Sequence, residues 1–220
     1  MAERKRPRRT RERILETSLA LFNAHGEPHV TTGDIAVELN ISPGNLYYHF
    51  RNKEEIVREL FLAFEAEVKP LLAAPGARTV WLDDLWMIMH LLLERMHAYR
   101  FLYRDLVDLA TRVRRIATGL AGLLHAGEAT MRRVFDGMRA AGQLRSGDAD
   151  ALAHNAMLVL TYSIAYDRLR AGATVHAREP DFSGAAYHVL MLIAPHLERD
   201  AQELGRRLAQ SYVGAVRSAP

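Results

Sequence analysis

The most constraining feature of this sequence is a pair of helix start signals that stand eleven residues apart, at Thr31 and Ser42. Thr31 precedes Asp34 by three residues, which is the spacing of a capping box. Ser42 precedes Pro43, a residue suited to the first helical position because its missing N–H costs no hydrogen bond there. Asn40 lies between the two signals and tolerates the left-handed backbone conformation that a tight turn requires. The pattern therefore predicts two short helices joined by a tight turn.

A longer amphipathic helix is predicted before this pair. Thr10 is its expected N-cap, and Gly26 with Pro28 marks its expected end. Apolar or small residues recur on one face of this helix and of the two short ones; they are Ile14, Leu15, Ser18, Leu19, Phe22, Ile35, Ala36, Leu39, Leu46 and Phe50. The three helices together predict a helix-turn-helix, in which the last helix presents its outer face and its N-terminus to the DNA major groove.

The predicted outer face of this last helix carries side chains that can read bases. Asn45 can pair bidentately with adenine, and Tyr48 can pack on a thymine methyl group. Gly44 removes bulk where the helix start must approach the DNA. Pro43 and His49 complete the face, although His49 could also simply cap the helix end.

Several runs of the sequence resemble the DNA-binding signature of the TetR (tetracycline-repressor-like) transcriptional regulators. The runs are Thr31-Thr32-Gly33-Asp34-Ile35-Ala36, Leu39, Ile41-Ser42-Pro43-Gly44-Asn45-Leu46-Tyr47-Tyr48-His49-Phe50 and Lys53-Glu54. The resemblance implies a homodimeric, usually repressing regulator whose C-terminal domain binds a small molecule and then releases DNA. It also implies base reading by Pro43, Gly44, Asn45 and Tyr48, and phosphate contacts by Thr31, Tyr47, His49 and Lys53. Asn40 stands where many members have glycine, and it accepts the same turn conformation.

The basic surplus of the chain is concentrated at its N-terminus. The net charge is +3, but residues 1–13 hold seven basic and two acidic side chains, so the other 207 residues sum to −2. Clustered arginines suit phosphate and groove contacts because the guanidinium is always charged and donates several hydrogen bonds. We expect a DNA-binding arm made of Arg4, Lys5, Arg6, Arg8 and Arg9; a solvated tail is the alternative.

The rest of the chain reads as a succession of longer helices without strand alternation or repeats. The first is expected to end at Pro70 and Pro75, and the others are expected at Val80 to Tyr99, Phe101 to Val113, Leu120 to Ala141, Ala149 to Ala171, Gly184 to Leu197 and Ala201 to Val216. The predicted fold class is all-α, with a DNA-binding domain at residues 1–54 and a helical effector-binding and dimerisation domain at 55–220. A homodimer is expected because one short recognition helix reads few base pairs, so specific binding needs a palindromic operator read by two copies. The helices at Ala149 to Ala171 and Gly184 to Leu197 are the predicted interface.

The larger domain is expected to bind a small apolar or aromatic effector. Candidate lining residues are large apolar or aromatic groups and one histidine, although ordinary core packing explains each as well; they are Trp86, Met89, His90, Met96, Tyr103, Phe135, Met157, Tyr162 and Tyr166. One rival reading is a metal-sensing or metal-dependent helical protein. It would use His90, Glu94 and His97, which share a helical face but span roughly 10 Å, a long reach for one ion.

Composition excludes several other classes. The chain contains no cysteine, which rules out disulfides, thiol nucleophiles and cysteine metal sites. No Ser-His-Asp set or phosphate loop is present, so neither an enzyme nor a bound cofactor is expected. The distribution of apolar and charged residues shows neither a secretory signal nor a membrane-spanning stretch, so the cytoplasm is the expected compartment.

Overall fold

The computed structural model describes residues 7–73, 81–171 and 183–217, and these residues form eleven α-helices. The helices are α1 (Pro7–His25), α2 (Thr32–Glu38), α3 (Pro43–His49), α4 (Lys53–Ala73), α5 (Leu82–Ala98), α6 (Arg100–Arg104), α7 (Leu106–Arg112), α8 (Arg114–Ala140), α9 (Ala149–Ala171), α10 (Ser183–Ile193) and α11 (Arg199–Arg217). Single 3₁₀ turns lie at Glu27–His29 and Ala194–His196. The extended contacts of the described residues amount to one isolated bridge between Leu144 and Leu197. The predicted all-α class is confirmed.

The chain packs into two compact units that are not continuous in sequence. The first contains Met1–Ala66 together with Tyr99–Gly119, and the second contains Glu67–Ala98 together with Leu120–Pro220. A later stretch of chain therefore joins the helix-turn-helix by packing. The functional boundary at residues 54 and 55 remains a prediction.

The local signals around the turn produce the helices expected from them. Thr31 Oγ1 accepts the Asp34 N–H at 3.1 Å while Asp34 Oδ2 accepts the Thr31 N–H at 2.8 Å, which completes a capping box at the start of α2. Asn40 adopts a left-handed conformation with φ 52°, and Ser42 Oγ accepts the Asn45 N–H at 3.2 Å to cap α3. Gly26, at φ 90°, ends α1 as predicted.

The first unit also fastens α6 to the end of α1. The Asn23 side chain is buried, and its Oδ1 accepts the Phe101 N–H at 3.1 Å. The Phe22 and Phe101 rings pack with centroids 5.4 Å apart. Because α6 has only five residues, these contacts with α1 fix its position better than its own helical hydrogen bonds can.

Four predicted helix boundaries were wrong. Thr10 lies inside α1, which already includes Pro7. Pro70 lies inside α4, which continues to Ala73. The single helix predicted from Phe101 is divided at Asp105 into α6 and α7, and α8 begins at Arg114 rather than at residue 120.

The second unit is built around α5, α10 and α11, with α9 packed on α10. One side of α5 is buried along its length, at Leu82, Leu85, Met89, Leu92 and Met96, among others. In the same unit, Thr130 Oγ1 of α8 donates to the Leu72 carbonyl at 2.6 Å, which satisfies a backbone acceptor at the end of α4. None of the described helices combines the length and hydropathy needed to cross a membrane.

Candidate nucleic-acid interface

Helix α3 separates its packing residues from the predicted base-reading residues. Leu46 is completely buried, whereas Pro43, Gly44 and Asn45 are exposed and Tyr48 is 78% exposed. The Tyr48 ring is therefore available to contact a base in the major groove. The exposed face of α3 therefore has the shape and chemistry that base reading requires.

Tyr47 joins the two short helices through its hydroxyl group. Its phenolic oxygen lies 3.1 Å from Thr32 Oγ1 at the start of α2, and both groups are accessible to solvent. The pair links the start of α2 to α3 and leaves two hydroxyl groups side by side at the surface. The sequence predicted Tyr47 as a phosphate contact, but the spacing of fifteen residues gave no sign that Thr32 would share its position.

Thr31, a predicted phosphate contact, is already engaged in hydrogen bonds with Asp34. Besides the two capping bonds, its hydroxyl donates to Asp34 Oδ2 at 2.7 Å. The Thr31 backbone N–H, and then its hydroxyl, hold the pKa of the Asp34 carboxyl below its ordinary value. A hydroxyl has one proton to donate, so a phosphate contact from Thr31 would displace this bond.

Lys53, another predicted phosphate contact, is held by a buried acid. Its ammonium donates to the Glu27 carbonyl at 2.9 Å and lies 3.1 Å from Glu27 Oε1. The other carboxylate oxygen of Glu27 accepts from Arg112 Nη2 at 2.7 Å, and Arg112 Nε donates to Asp108 at 2.8 Å. Glu27 is completely buried, so sequence reasoning had no local signal for its role.

Among the remaining predicted DNA contacts, some lie at the surface and others lie outside the described residues. His49 is partly exposed and packs edge-on against the Tyr48 ring, with centroids 5.2 Å apart. Arg9 is exposed on α1. Arg4, Lys5 and Arg6 lie outside the described residues, as does the side chain of Arg8.

The structure places the nine candidate effector residues in different environments. Tyr103 belongs to the first compact unit, where its ring packs against Phe64, while the other eight belong to the second. Met89, Met96 and Phe135 are core residues, and Tyr162 and Tyr166 are exposed on α9. Trp86 and His90 do meet, with stacked rings 5.3 Å apart on α5. Met157 lies against Gly127 of α8.

The metal hypothesis receives no support from the described residues. His90 Nε2 lies 3.5 Å from Glu94 Oε1, which is an ordinary pairing one helical turn apart. Across the described part of the chain, no group of three or more His, Asp and Glu side chains is arranged to hold a metal ion.

Comparison with known proteins identifies the family. Residues 14–60 match the family model described as bacterial regulatory proteins of the TetR family, and residues 63–204 match the TetR model described as bacterial transcriptional repressor. The chain belongs to the TetR family. The predicted family is confirmed, and it is a family of DNA-binding transcriptional regulators rather than of enzymes.

Individual relatives agree with this assignment. A TetR-family regulator from Marinobacter aquaeolei VT8 is 32% identical, with a TM-score of 0.80 over 92% of this chain and 98% of that one. A putative transcriptional regulator from Saccharomonospora viridis, solved in complex with choline, is 24% identical, with a TM-score of 0.63 over 87% of this chain and 100% of that one. The probable acrEF/envCD operon repressor of Escherichia coli K12 is 39% identical over 54 residues, which are 24% of each chain. The chain spans about a quarter to a half of the lengths of the curated relatives it matches.

Proposed function

We propose that this TetR-family protein represses transcription by binding a palindromic operator as a homodimer, in the cytoplasm, and that a small apolar or aromatic effector releases it. The observation that carries the proposal is the division of α3 between a buried Leu46 and an exposed reading face. Asn45 and Tyr48 on that face supply a bidentate amide and an apolar ring, which together can distinguish A·T base pairs in the major groove.

Exposed apolar side chains on α9 support dimerisation. Leu158, Tyr162, Tyr166 and Leu169 recur with helical spacing and are between 45% and 82% exposed. Met191 is exposed on α10, which packs on α9. Such a two-helix apolar face is suited to a second copy of itself across a two-fold axis, and it coincides with the interface predicted from sequence.

The effector is the least defined part of the proposal. Trp86 and His90 offer a stacked aromatic pair with one polar edge on α5. For this chain we propose an uncharged or weakly polar compound that binds the second unit. Linkage then requires operator DNA to weaken effector binding by the same factor by which effector weakens DNA binding.

In vitro selection of DNA from a random pool tests the DNA-binding proposal directly. We expect the protein to enrich a palindrome whose half-sites are about 34 Å apart, one turn of the double helix. Binding of the selected site and of a scrambled duplex is then measured by fluorescence anisotropy across a salt series. Enrichment of no sequence over the scrambled duplex would refute the proposed function.

Substitution of Asn45 tests the assignment of the reading face. Asn45→Ala should weaken binding to the selected site by roughly 1–3 kcal/mol per half-site, relax the preference at one base position and leave the salt dependence unchanged. Glu38→Ala, an exposed substitution at the end of the neighbouring helix α2, is the control for general effects on this domain. Equal weakening on selected and scrambled DNA would show that Asn45 does not read sequence.

A further inference from the structure

Two cations from separate helices converge on one buried carboxylate in the first unit. Glu27 Oε1 faces the Lys53 ammonium at 3.1 Å, and Glu27 Oε2 accepts from the Arg112 guanidinium at 2.7 Å. The Glu27 side chain is inaccessible to solvent, whereas the Lys53 and Arg112 side chains are 22% and 36% exposed. The buried carboxylate is therefore shared between two cationic side chains that are both partly exposed to solvent.

Each cation belongs to a stretch of chain that leads from the first unit into the second. Lys53 is the first residue of α4, a helix that continues past Ala66 into the second unit. Arg112 ends α7, and after Val113 the chain enters α8, which continues past Gly119 into the second unit. The chain on which each partner of Glu27 lies is therefore continuous with the second unit.

We propose that Glu27 is an electrostatic switch that sets how much of the Lys53 charge is available to DNA, and that Arg112 controls the switch. While Arg112 pairs with Glu27, the carboxylate divides its charge between two cations and holds Lys53 less strongly than it would alone, so a phosphate can compete for the ammonium. When Arg112 is withdrawn, the buried carboxylate is left with Lys53 alone and holds it. Glu27 and Arg112 are then positioning residues that act through Lys53, and this inference rests on the proposed DNA binding.

The strength of the effect follows from burial. A carboxylate removed from water attracts a cation more strongly than an exposed one does, because the surrounding dielectric screens the charges less. Asp108, which is exposed, competes with Glu27 for Arg112, because its carboxylate accepts from Arg112 Nε at 2.8 Å. The ammonium of Lys53 donates to the Glu27 carbonyl and lies 3.1 Å from Oε1 as an ion pair, so its allocation between Glu27 and DNA depends on the charge that remains at the carboxylate.

Substitutions that change only charge separate this role from a structural one. Glu27→Gln should free Lys53, tighten binding to selected and scrambled DNA alike, and steepen the log–log salt slope by up to about 1.8 per dimer, or about 0.9 per added phosphate contact. Between about 50 and 200 mM salt, that slope change corresponds to about a twelvefold additional loss of affinity. Arg112→Gln should do the opposite, with weaker binding and a flatter slope. Asp108→Asn, an exposed substitution that does not endanger folding, should shift the slope in the same direction as Glu27→Gln but by less.

A second ion pair in the same unit provides matched controls. Glu65 is also buried and accepts from Arg115 at the start of α8. Glu65→Gln and Arg115→Gln change the net charge and break a buried pair in the same way, and they should shift the salt slope much less than their counterparts at Glu27 and Arg112. Combining Glu27→Gln with Arg112→Gln should abolish the effect of Arg112→Gln, since the carboxylate it controls is gone.

The proposal can be refuted because it predicts salt-slope changes of opposite sign for Glu27→Gln and Arg112→Gln, even though both substitutions weaken the fold. Thermal melts and dimer mass establish that each variant is folded before its DNA binding is compared. Slopes that move in the same direction for Glu27→Gln and Arg112→Gln, or that match the Glu65 and Arg115 controls, would overturn the switch. If wild type bound no DNA at all, the proposed function would fail instead, which is a distinguishable result.

Discussion

Removing the Tyr162 ring tests whether the apolar face of α9 is the dimer interface. Tyr162 is 45% exposed in the single chain. A tyrosine presents on the order of 200 Å² of surface, so a partner could cover roughly 90 Å² of it. At about 25 cal/mol per Å², this burial stabilises the dimer by at most roughly 2 kcal/mol per protomer, or about 4 kcal/mol across a two-fold axis.

Tyr162→Ala should therefore weaken dimerisation by up to about a thousandfold, because each 1.4 kcal/mol is about tenfold in the dissociation constant. Sedimentation velocity over a dilution series from micromolar to nanomolar protein measures this change. Trp81→Ala is the matched control, since Trp81 is also aromatic and 46% exposed but lies just before α5, outside the α9 and α10 face. A wild-type monomer at micromolar protein, or equal weakening by the two substitutions, would refute the assignment of the interface.

Three further predictions concern the DNA-binding unit. Asn40→Ala should lower the free energy of unfolding by roughly 1 kcal/mol relative to Asn40→Gly, because alanine disfavours the left-handed conformation at φ 52°; thermal denaturation of the two variants measures the difference. The Asp34 carboxyl has a lowered pKa in the folded state, so its stabilising contribution is complete above its ordinary value of 3.8 and is lost as the pH falls through the lowered one. The difference in melting temperature between wild type and Asp34→Asn should therefore shrink toward zero in acid, and a difference that persists unchanged would contradict the capping role. Replacing Arg4, Lys5 and Arg6 with glutamine should weaken binding to every DNA sequence and flatten the salt slope by about 0.9 per lost phosphate contact, without changing the selected sequence.

The parts of the fold that sequence reasoning predicted correctly depend on short-range contacts. The capping box at Thr31, the turn at Asn40 and the cap at Ser42 each involve atoms within three or four residues of one another. Such signals do not need the rest of the protein, because they satisfy the unpaired backbone groups of a helix end where it forms. The identity of the exposed face of α3 followed from the same local spacing.

Helix boundaries were predicted wrongly where contacts with residues distant in the sequence stabilise the helix. Pro70 does not end α4, and the end of that helix is completed by the hydroxyl of Thr130, which is 58 residues away from Leu72 in the sequence. The short helix α6 is stabilised by contacts with α1. The Asn23 side chain accepts the Phe101 N–H, and the Phe22 ring packs on the Phe101 ring. Helical periodicity also identifies which residues are apolar but not which compact unit each one joins, and the predicted effector residues, Tyr103 in the first unit and the other eight in the second, stay a prediction.

The sequence by itself determined the family, the all-α class and which side of α3 is exposed, because spacing along a helix places side chains on a face without reference to other helices. Only the tertiary structure decided that Glu27 is buried between Lys53 and Arg112, and that Thr32 shares a surface position with Tyr47. Those pairings depend on how separate helices pack, and packing is the sum of many weak contacts between residues far apart in the chain. No local pattern encodes that sum, so a residue such as Glu27, which appears in the sequence as one acid among 26 acidic residues, acquires its role only once the chain has folded.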